Sequence, residues 1–310
     1  MAGKFRRNVH RMTVAEAFQE FLLDKMADGL SRDTIRAYRF MFDAAAHYWD
    51  VDMPLEEVDD RTIRRAVGEM AGTDLSRNTI RSYTATLKTF FSWCRREGLS
   101  DVDVRLFKGE ESAPETYTDE ELRKLLRHPK KRCQFSELRA WAIVNLLVNN
   151  GIRAASVRAI QNRDVDLDAN VILLRHTKAR KVQTVPLSPA IVAVLREYMR
   201  DRGGDPEEFF FPNINGDQLS AAALRSLIRR YNLSRGVEKT GIHAFRHTFA
   251  RMYLVDCGGD ALKLQKLLGH STLDMTKHYV RIFNEDLIAD FQQHAPLDQI
   301  QKKARKKGRD

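Results

Sequence analysis

Cysteine is scarce in this chain: three in 310 residues, Cys94, Cys133 and Cys257, far apart and without paired spacing. No disulfide framework can be drawn from them, and a reducing cytosol is the expected setting. Long apolar runs are missing as well. Nothing approaches the ~18 consecutive apolar residues of a membrane-crossing helix, and the basic start MAGKFRRNVHRM leads into an amphipathic stretch rather than a secretory signal. Carboxylates are not clustered as a two-metal centre would require. His243 and His247 have the spacing of a metal pair on a helix, but Ala244 stands where the hydrolytic version carries glutamate. An arginine between the two histidines would also repel a cation, so no metal is expected there. The plainer reading of His247 is a structural histidine bonded to backbone.

What the chain has in excess is positive charge, a net +10 over 310 residues. A polyanionic partner follows from this, nucleic acid first, because phosphates release counterions to clustered Lys and Arg. No basic amphipathic anchor points to a membrane surface.

From Thr13 to about Leu99, apolar residues recur at helical spacing: Val14, Phe18, Leu22; Ile35, Tyr38, Phe42; Ile63, Val67, Met70; Ile80, Leu87, Phe91. Four amphipathic helices are predicted. Two of them open almost identically, SRDTIRAYR at Ser31 and SRNTIRSYT at Ser76. Each opening offers a capping Ser and arginines in the first turn, where cations oppose the helix dipole unless an anion compensates. Arg32, Arg36, Arg77 and Arg81 read either as a solvated face or as DNA contacts. The repeated opening in a basic chain favours DNA, and Arg39 and Lys88 extend the same set. Ser100 to Thr116 lacks periodicity and reads as a linker.

Beyond it, TYTDEELRKLL carries a capping box at Thr118 and Glu121, and SELRAWAIVNLLVNNG is an apolar helix ended by Gly151. NVILLR and VQTVPL form a β-hairpin around the basic turn HTKARK. Helices then resume through SPAIVAVLREYMR, LSAAALRSLIRRY, a long HAFRHTFARMYLVD, LKLQKLLG and a segment around MTKHYV, before the basic tail KKARKKGR.

Through this second half runs an ordered series: Arg153 in NNGIRAAS, Lys178 in the hairpin turn, His243 and Arg246 in HAFRHTFA, His270 in LLGHSTLDMTKHYV, and Tyr279 nine residues later. Taken singly each has a plain reading, as a cap, a solvated lysine, a helix-end histidine or a core tyrosine. Together they are what a phosphodiester needs if a phenol is to attack it without a metal.

These boxes resemble those of the tyrosine recombinase (phage integrase) family over nearly the whole chain. GIRAAS is similar to the family's first arginine box, HTKARKVQTVPL to its lysine hairpin, HAFRHTFA to its second box, and LLGHSTLDMTKHYV to its nucleophile box. The resemblance implies a mainly α fold with a small β-sheet (α+β), a helical core-binding domain plus a tyrosine-recombinase catalytic domain. It divides the chain into a basic extension (1–12), a SAM-like core-binding domain (13–100), a linker (101–116), the catalytic domain (117–291) and a docking segment with basic tail (292–310). It implies Tyr279 as nucleophile, Arg153 and Arg246 as the phosphate clamp, Lys178 as general acid, His243 as handler of the tyrosine proton and His270 as a phosphate contact. It further implies a 3′-phosphotyrosine and a Holliday junction, with no metal, ATP or other cofactor. The partners implied are double-stranded recombination sites, a homo-tetramer on two duplexes and a directionality factor, in a prokaryotic cytoplasm.

The short extension before the first helix favours a simple Xer-like recombinase over one with an arm-binding domain. FQQHAPLDQI is similar to the terminal segment that docks on a neighbouring protomer. One position departs from the pattern: the residue three after Arg153 is normally acidic, and here it is Ser156. Either another carboxylate substitutes or the cluster is held less firmly. Two alternatives share part of the signal: a type IB topoisomerase relaxing DNA as a monomer, and a DNA-binding protein that has lost catalysis.

Overall fold

Each helix of the first hundred residues starts on an oxygen-bearing side chain. In the computed structural model, which describes residues 11–110, 114–130, 132–175, 182–270 and Tyr279, contacts divide the chain into two units, Met1–Ser112 and Ala113–Asp310.

In the first unit Thr13 opens α1 (Val14–Ala27) with a full capping box to Glu16. Ser31 opens α2 (Arg32–Ala46), Asp59 opens α3 (Asp60–Ala71) and Ser76 opens α4 (Arg77–Arg96). The repeated sequence produces a repeated cap. Ser31 and Ser76 each accept from the backbone N–H three residues on, and each hydroxyl also meets a threonine hydroxyl, Thr34 at 2.9 Å and Thr79 at 2.8 Å. The apolar stripes of these helices meet in an aromatic core. Phe18 stacks on Phe42 with ring centroids 3.7 Å apart, and Phe90 closes on both edge to face. Burial of such rings is the main force holding four short helices together.

Part of the stretch read as a linker belongs to this unit. Val102 and Val104 are buried in its core, Arg95 donates to the Val102 carbonyl at 2.8 Å, and the Phe107 N–H donates to Thr84 Oγ1 at 3.2 Å. Two valines two residues apart bury one face of an extended segment, a signal too short for periodicity to reveal.

In the second unit the capping box at Thr118 and Glu121 opens α5 (Asp119–Leu126). Next comes α6 (Phe135–Asn150), apolar on all sides and buried along Leu138–Leu147, the composition of a helix surrounded by protein. It packs against helices introduced below. A short helix α7 (Ala154–Ala159) follows, missed in the sequence because six residues carry no period. Three strands form an antiparallel sheet in the order β1 (Val165–Asp166), β2 (Val171–Leu174), β3 (Gln183–Pro186). Val171 faces Pro186 and Leu174 faces Gln183, so β2 and β3 are the expected hairpin.

After the sheet come α8 (Pro189–Arg202), α9 (Ala221–Ser234), α10 (Ile242–Arg251) and α11 (Ala261–Leu268); α6 contacts α8, α9 and α10. The helix expected to run unbroken through HAFRHTFARMYLVD instead changes to π geometry over Met252–Asp256. Phe245 of α10 stacks on Tyr117, centroids 4.2 Å apart, and Thr248 accepts from the Tyr117 N–H at 2.8 Å. These contacts fix the rotation of α10, and with it the direction of the polar residues between them. No helix among the described residues is long and apolar enough to cross a membrane.

Candidate active site

Two glycines make the site possible. Gly151 ends α6 in the left-handed region, φ 57°, and a Cβ there would lie 2.5 Å from the Phe249 ring of α10. Gly269 ends α11 in the same way, φ 62°, with a would-be Cβ 2.4 Å from Gln183 Oε1. Only glycine combines that backbone with so close an approach. The ends of α6 and α11 are thereby brought against α10 and the start of β3.

The arginines enter between those ends. Arg246, buried on α10, donates to the Gly151 carbonyl at 2.8 Å and to the Leu268 carbonyl at 2.9 Å. Arg153, at the cap of α7, donates to the carbonyls of Leu268 and Gly269, each at 3.3 Å. Two guanidinium groups therefore share the C-terminal carbonyls of α11, the negative end of its dipole. Among the described residues neither is in an ion pair with a carboxylate, unlike Arg175 on Asp164 or Arg202 on Glu208. Burial and the neighbouring Arg153 charge bring the Arg246 pKa down to about 10, and burial lowers Arg153 as well. Among the described residues, no carboxylate offsets the positive charge of this pair.

Tyr279 lies against this charge. Its ring is buried with Ala250, Leu264 and Leu268, and burial raises its pKa while Arg246, which also hydrogen-bonds it, and Arg153 pull the other way. The phenol thus keeps its proton near neutral pH and has two cations beside it to stabilise the phenolate. His270, directly after Gly269, lies parallel to the Tyr279 ring, centroids 6.1 Å apart. Burial first, then Arg246 and Arg153, push its pKa down to about 4, so it is a neutral imidazole in this site.

His247 corrects the sequence reading. Its Nδ1 is 2.9 Å from the Tyr279 hydroxyl oxygen, a side-chain partner that the sequence reading did not give it. Spacing along α10 could not reveal this, because the partner lies 32 residues away.

His243 is exposed in the first turn of α10 and lines an open cavity of about 810 Å³. Arg153, Arg158, Arg225 and Arg229 line the same cavity, and among the described residues no acidic side chain does. The last three were missed in the sequence; the available signal was Arg225 and Arg229 four apart on α9, hence on one face.

Lys178 lies outside the described residues, but both arms of its hairpin are anchored. Arg175 donates to Asp164 Oδ1 at 2.5 Å, and Gln183 donates to the Leu267 carbonyl of α11 at 2.7 Å. The residue at the normally acidic position, Ser156, is buried, and it lines a cavity with Asp164 and Arg175. A carboxylate therefore stands beside Ser156, paired with the hairpin rather than with Arg153. The docking segment 292–310 and the MTKHYV stretch other than Tyr279 also lie outside the described residues.

In the first unit Arg32, Arg36, Arg39, Arg77, Arg81 and Lys88 are all exposed. Arg36 pairs with Asp33 at 3.3 Å and Arg39 donates to Gln19 at 3.2 Å. Arg77 and Arg81 reach the carbonyls of Lys108 and Phe107, and Arg77 stacks on the Phe107 ring at 5.1 Å.

Comparison with known proteins agrees with this architecture. The phage integrase family profile matches residues 115–286, and the phage integrase N-terminal SAM-like domain matches residues 15–98. Tyrosine recombinase XerA of Thermococcus kodakarensis is 30% identical, over 88% of this chain and 93% of that protein. Tyrosine recombinase XerC of Thermodesulfovibrio yellowstonii is 29% identical, over 88% and 93%. Among solved structures, the Tn1549 transposon integrase in complex with transposon right end DNA superposes with a TM-score of 0.72 at 17% identity, over 93% of this chain and 99% of that one. The lambda integrase tetramer bound to a Holliday junction gives 0.68 at 18%, over 87% and 78%. With a phenol set against two guanidinium groups and both parts of the chain matched, the protein belongs to the phage integrase family and is a tyrosine site-specific recombinase.

Proposed function

We propose that Tyr279 attacks the scissile phosphate, forming a 3′-phosphotyrosine and releasing a 5′-hydroxyl. Arg153 and Arg246 bind the non-bridging oxygens as negative charge accumulates there, in the role a metal plays elsewhere. Lys178 protonates the departing 5′-oxygen. His243 reaches the phosphate from the cavity wall, and His270, held neutral, hydrogen-bonds it. The phosphotyrosine keeps the energy of the broken bond, so a partner strand's 5′-hydroxyl can rejoin it without ATP.

The arginine pair beside Tyr279 without a carboxylate carries this reading. What marks this pair is its convergence: a buried Arg246 and a half-buried Arg153, both held on carbonyls at the end of α11, meet beside Tyr279, an arrangement that suits an anion arriving from outside. A monomeric topoisomerase would use the same chemistry, and the family membership favours recombination over it.

The substrates we propose are duplex recombination sites, handled by four protomers on two duplexes as in the lambda integrase assembly. The helical domain at 13–100 would hold the DNA through Arg32, Arg36, Arg39, Arg77, Arg81 and Lys88, the catalytic domain at 117–291 would cut it, and the 292–310 segment would dock on a neighbouring protomer.

Covalent capture tests the reading. Incubation with a pool of duplexes should yield a protein–DNA adduct stable to denaturation. Tyr279→Phe should bind the same duplexes and form none; residual adduct in that variant would remove Tyr279 as nucleophile.

A further inference from the structure

The attack has to dispose of a proton that burial holds on the Tyr279 hydroxyl. Resting on the reading of Tyr279 as nucleophile, we propose that His247 is the catalytic base that takes this proton and the acid that returns it. His247 Nδ1 and Tyr279 Oη are 2.9 Å apart, an ordinary hydrogen bond across which a proton can move without rearrangement.

The local architecture suits that role. His247 and Ala250 are three apart on α10, so they share a face. Ala250 belongs to the cluster that buries the Tyr279 ring, and its small side chain leaves room for that ring against the helix. The two rings lie 5.6 Å apart at 52°, meeting through Nδ1 and Oη rather than face to face. His247 itself is half-buried, whereas His243, one turn earlier, is exposed and lines the arginine-walled cavity. The helix therefore separates two duties: His243 toward the cavity where a phosphate would lie, His247 toward the phenol.

The step balances as follows. As the Oη–P bond forms and the P–O5′ bond breaks, the hydroxyl proton passes to Nδ1 of a neutral His247 whose other nitrogen carries N–H. The leaving 5′-oxygen takes its proton from Lys178. On rejoining, the 5′-hydroxyl attacks phosphorus and returns its proton to Lys178, the P–Oη bond breaks, and Nδ1–H restores the phenol.

Among the described residues, the charged or titratable groups on the elements packed around this pair are His243, Arg246 and Arg251 on α10, Arg153 at α7, Lys263 and Lys266 on α11, His270 beyond it, and Tyr253 and Asp256 in the π segment. α6 supplies none between Ala140 and Asn150.

The test is single-turnover adduct formation by the intact chain, on nicked duplexes selected from a random-sequence pool by binding to it, followed from acid to mildly alkaline pH. His247→Ala should lower the rate about 100-fold or more with DNA binding retained, and added imidazole should restore part of it. His247→Asn keeps an amide near the Nδ1 position, so it can position the phenol but cannot take its proton. It should remain slow and lose the imidazole-range pH dependence of the wild type. If the Ala variant loses its melting transition, the Asn variant carries the test. A wild-type rate in either variant, or a pH dependence abolished by His243→Ala and untouched by His247→Asn, would overturn the assignment. An adduct lost in Tyr279→Phe but unaffected in His247→Ala would overturn it while leaving the nucleophile in place. A wild-type chain forming no adduct would overturn both.

Discussion

The arginines of the first unit and those of the second do opposite things with the same side chain. Arg36 and Arg77 are exposed, tied to a neighbouring acid, carbonyl or ring by contacts that water can replace. Arg153 and Arg246 are set among the carbonyls at the ends of α6 and α11, with their direction decided before any substrate arrives. Exposed arginines supply long-range attraction that salt screens. Buried ones supply fixed charge in a medium of low polarisability, where it stabilises a developing anion far more strongly. On the function proposed above, the helical unit would find and hold DNA, and the second would hold charge where bonds change.

The largest break in that contrast should come at Arg246. Arg246→Ala should reduce the single-turnover cleavage rate by about 10²- to 10³-fold, the usual loss for one preorganised donor. Arg246→Lys should recover only part of it, because an ammonium cannot span the Gly151 and Leu268 carbonyls as the guanidinium fork does. Equal rates for Lys and Arg would mean that charge alone matters.

A smaller effect should appear in stability against pH. His270 is held neutral, its pKa down to about 4 from 6.5, so the unfolded chain takes up a proton that the folded chain refuses. The stability this group contributes is present above about pH 6.5. It falls as pH drops from there toward 4, by up to about 3 kcal/mol, and changes no further below. Thermal melts of the intact chain across that window should be flatter for His270→Asn. An unchanged slope would mean that His270 is solvated.

Smallest of all should be the loss at single exposed arginines. Arg36→Ala or Arg77→Ala should leave the melting transition and the saturated cleavage rate in place while reducing the salt slope of DNA binding by about one. A loss of saturated rate as large as that of Arg246→Ala would erase the distinction between the two regions.

Much of this was legible beforehand where the signal is local. Ser31 and Ser76 cap as read, Thr118 and Glu121 form their box, Gly151 ends its helix, and β2 pairs with β3 around the basic turn. What escaped was either too short for a period, like α7 and the Val102–Val104 segment, or dependent on residues far apart in the chain. Arg158, Arg225 and Arg229 look like surface arginines until α7 and α9 bring them to one cavity wall. Ser156 and Asp164, eight residues apart, line one crevice, a proximity spacing could not show, and the partner of Asp164 is Arg175 rather than Arg153.

Sequence alone determined the longer helices, their caps and the hairpin, and offered the residue types of the proposed site, because those follow from neighbours within a turn or two. Tertiary structure decided that the ends of α6 and α11 would meet at α10, with two arginines held on their carbonyls and no acid paired with them among the described residues. It also decided that His247, read from sequence as a structural histidine, would hydrogen-bond a phenol 32 residues away. Charge compensation and proton transfer act over a few ångströms of space, and that distance is set only once the chain has packed.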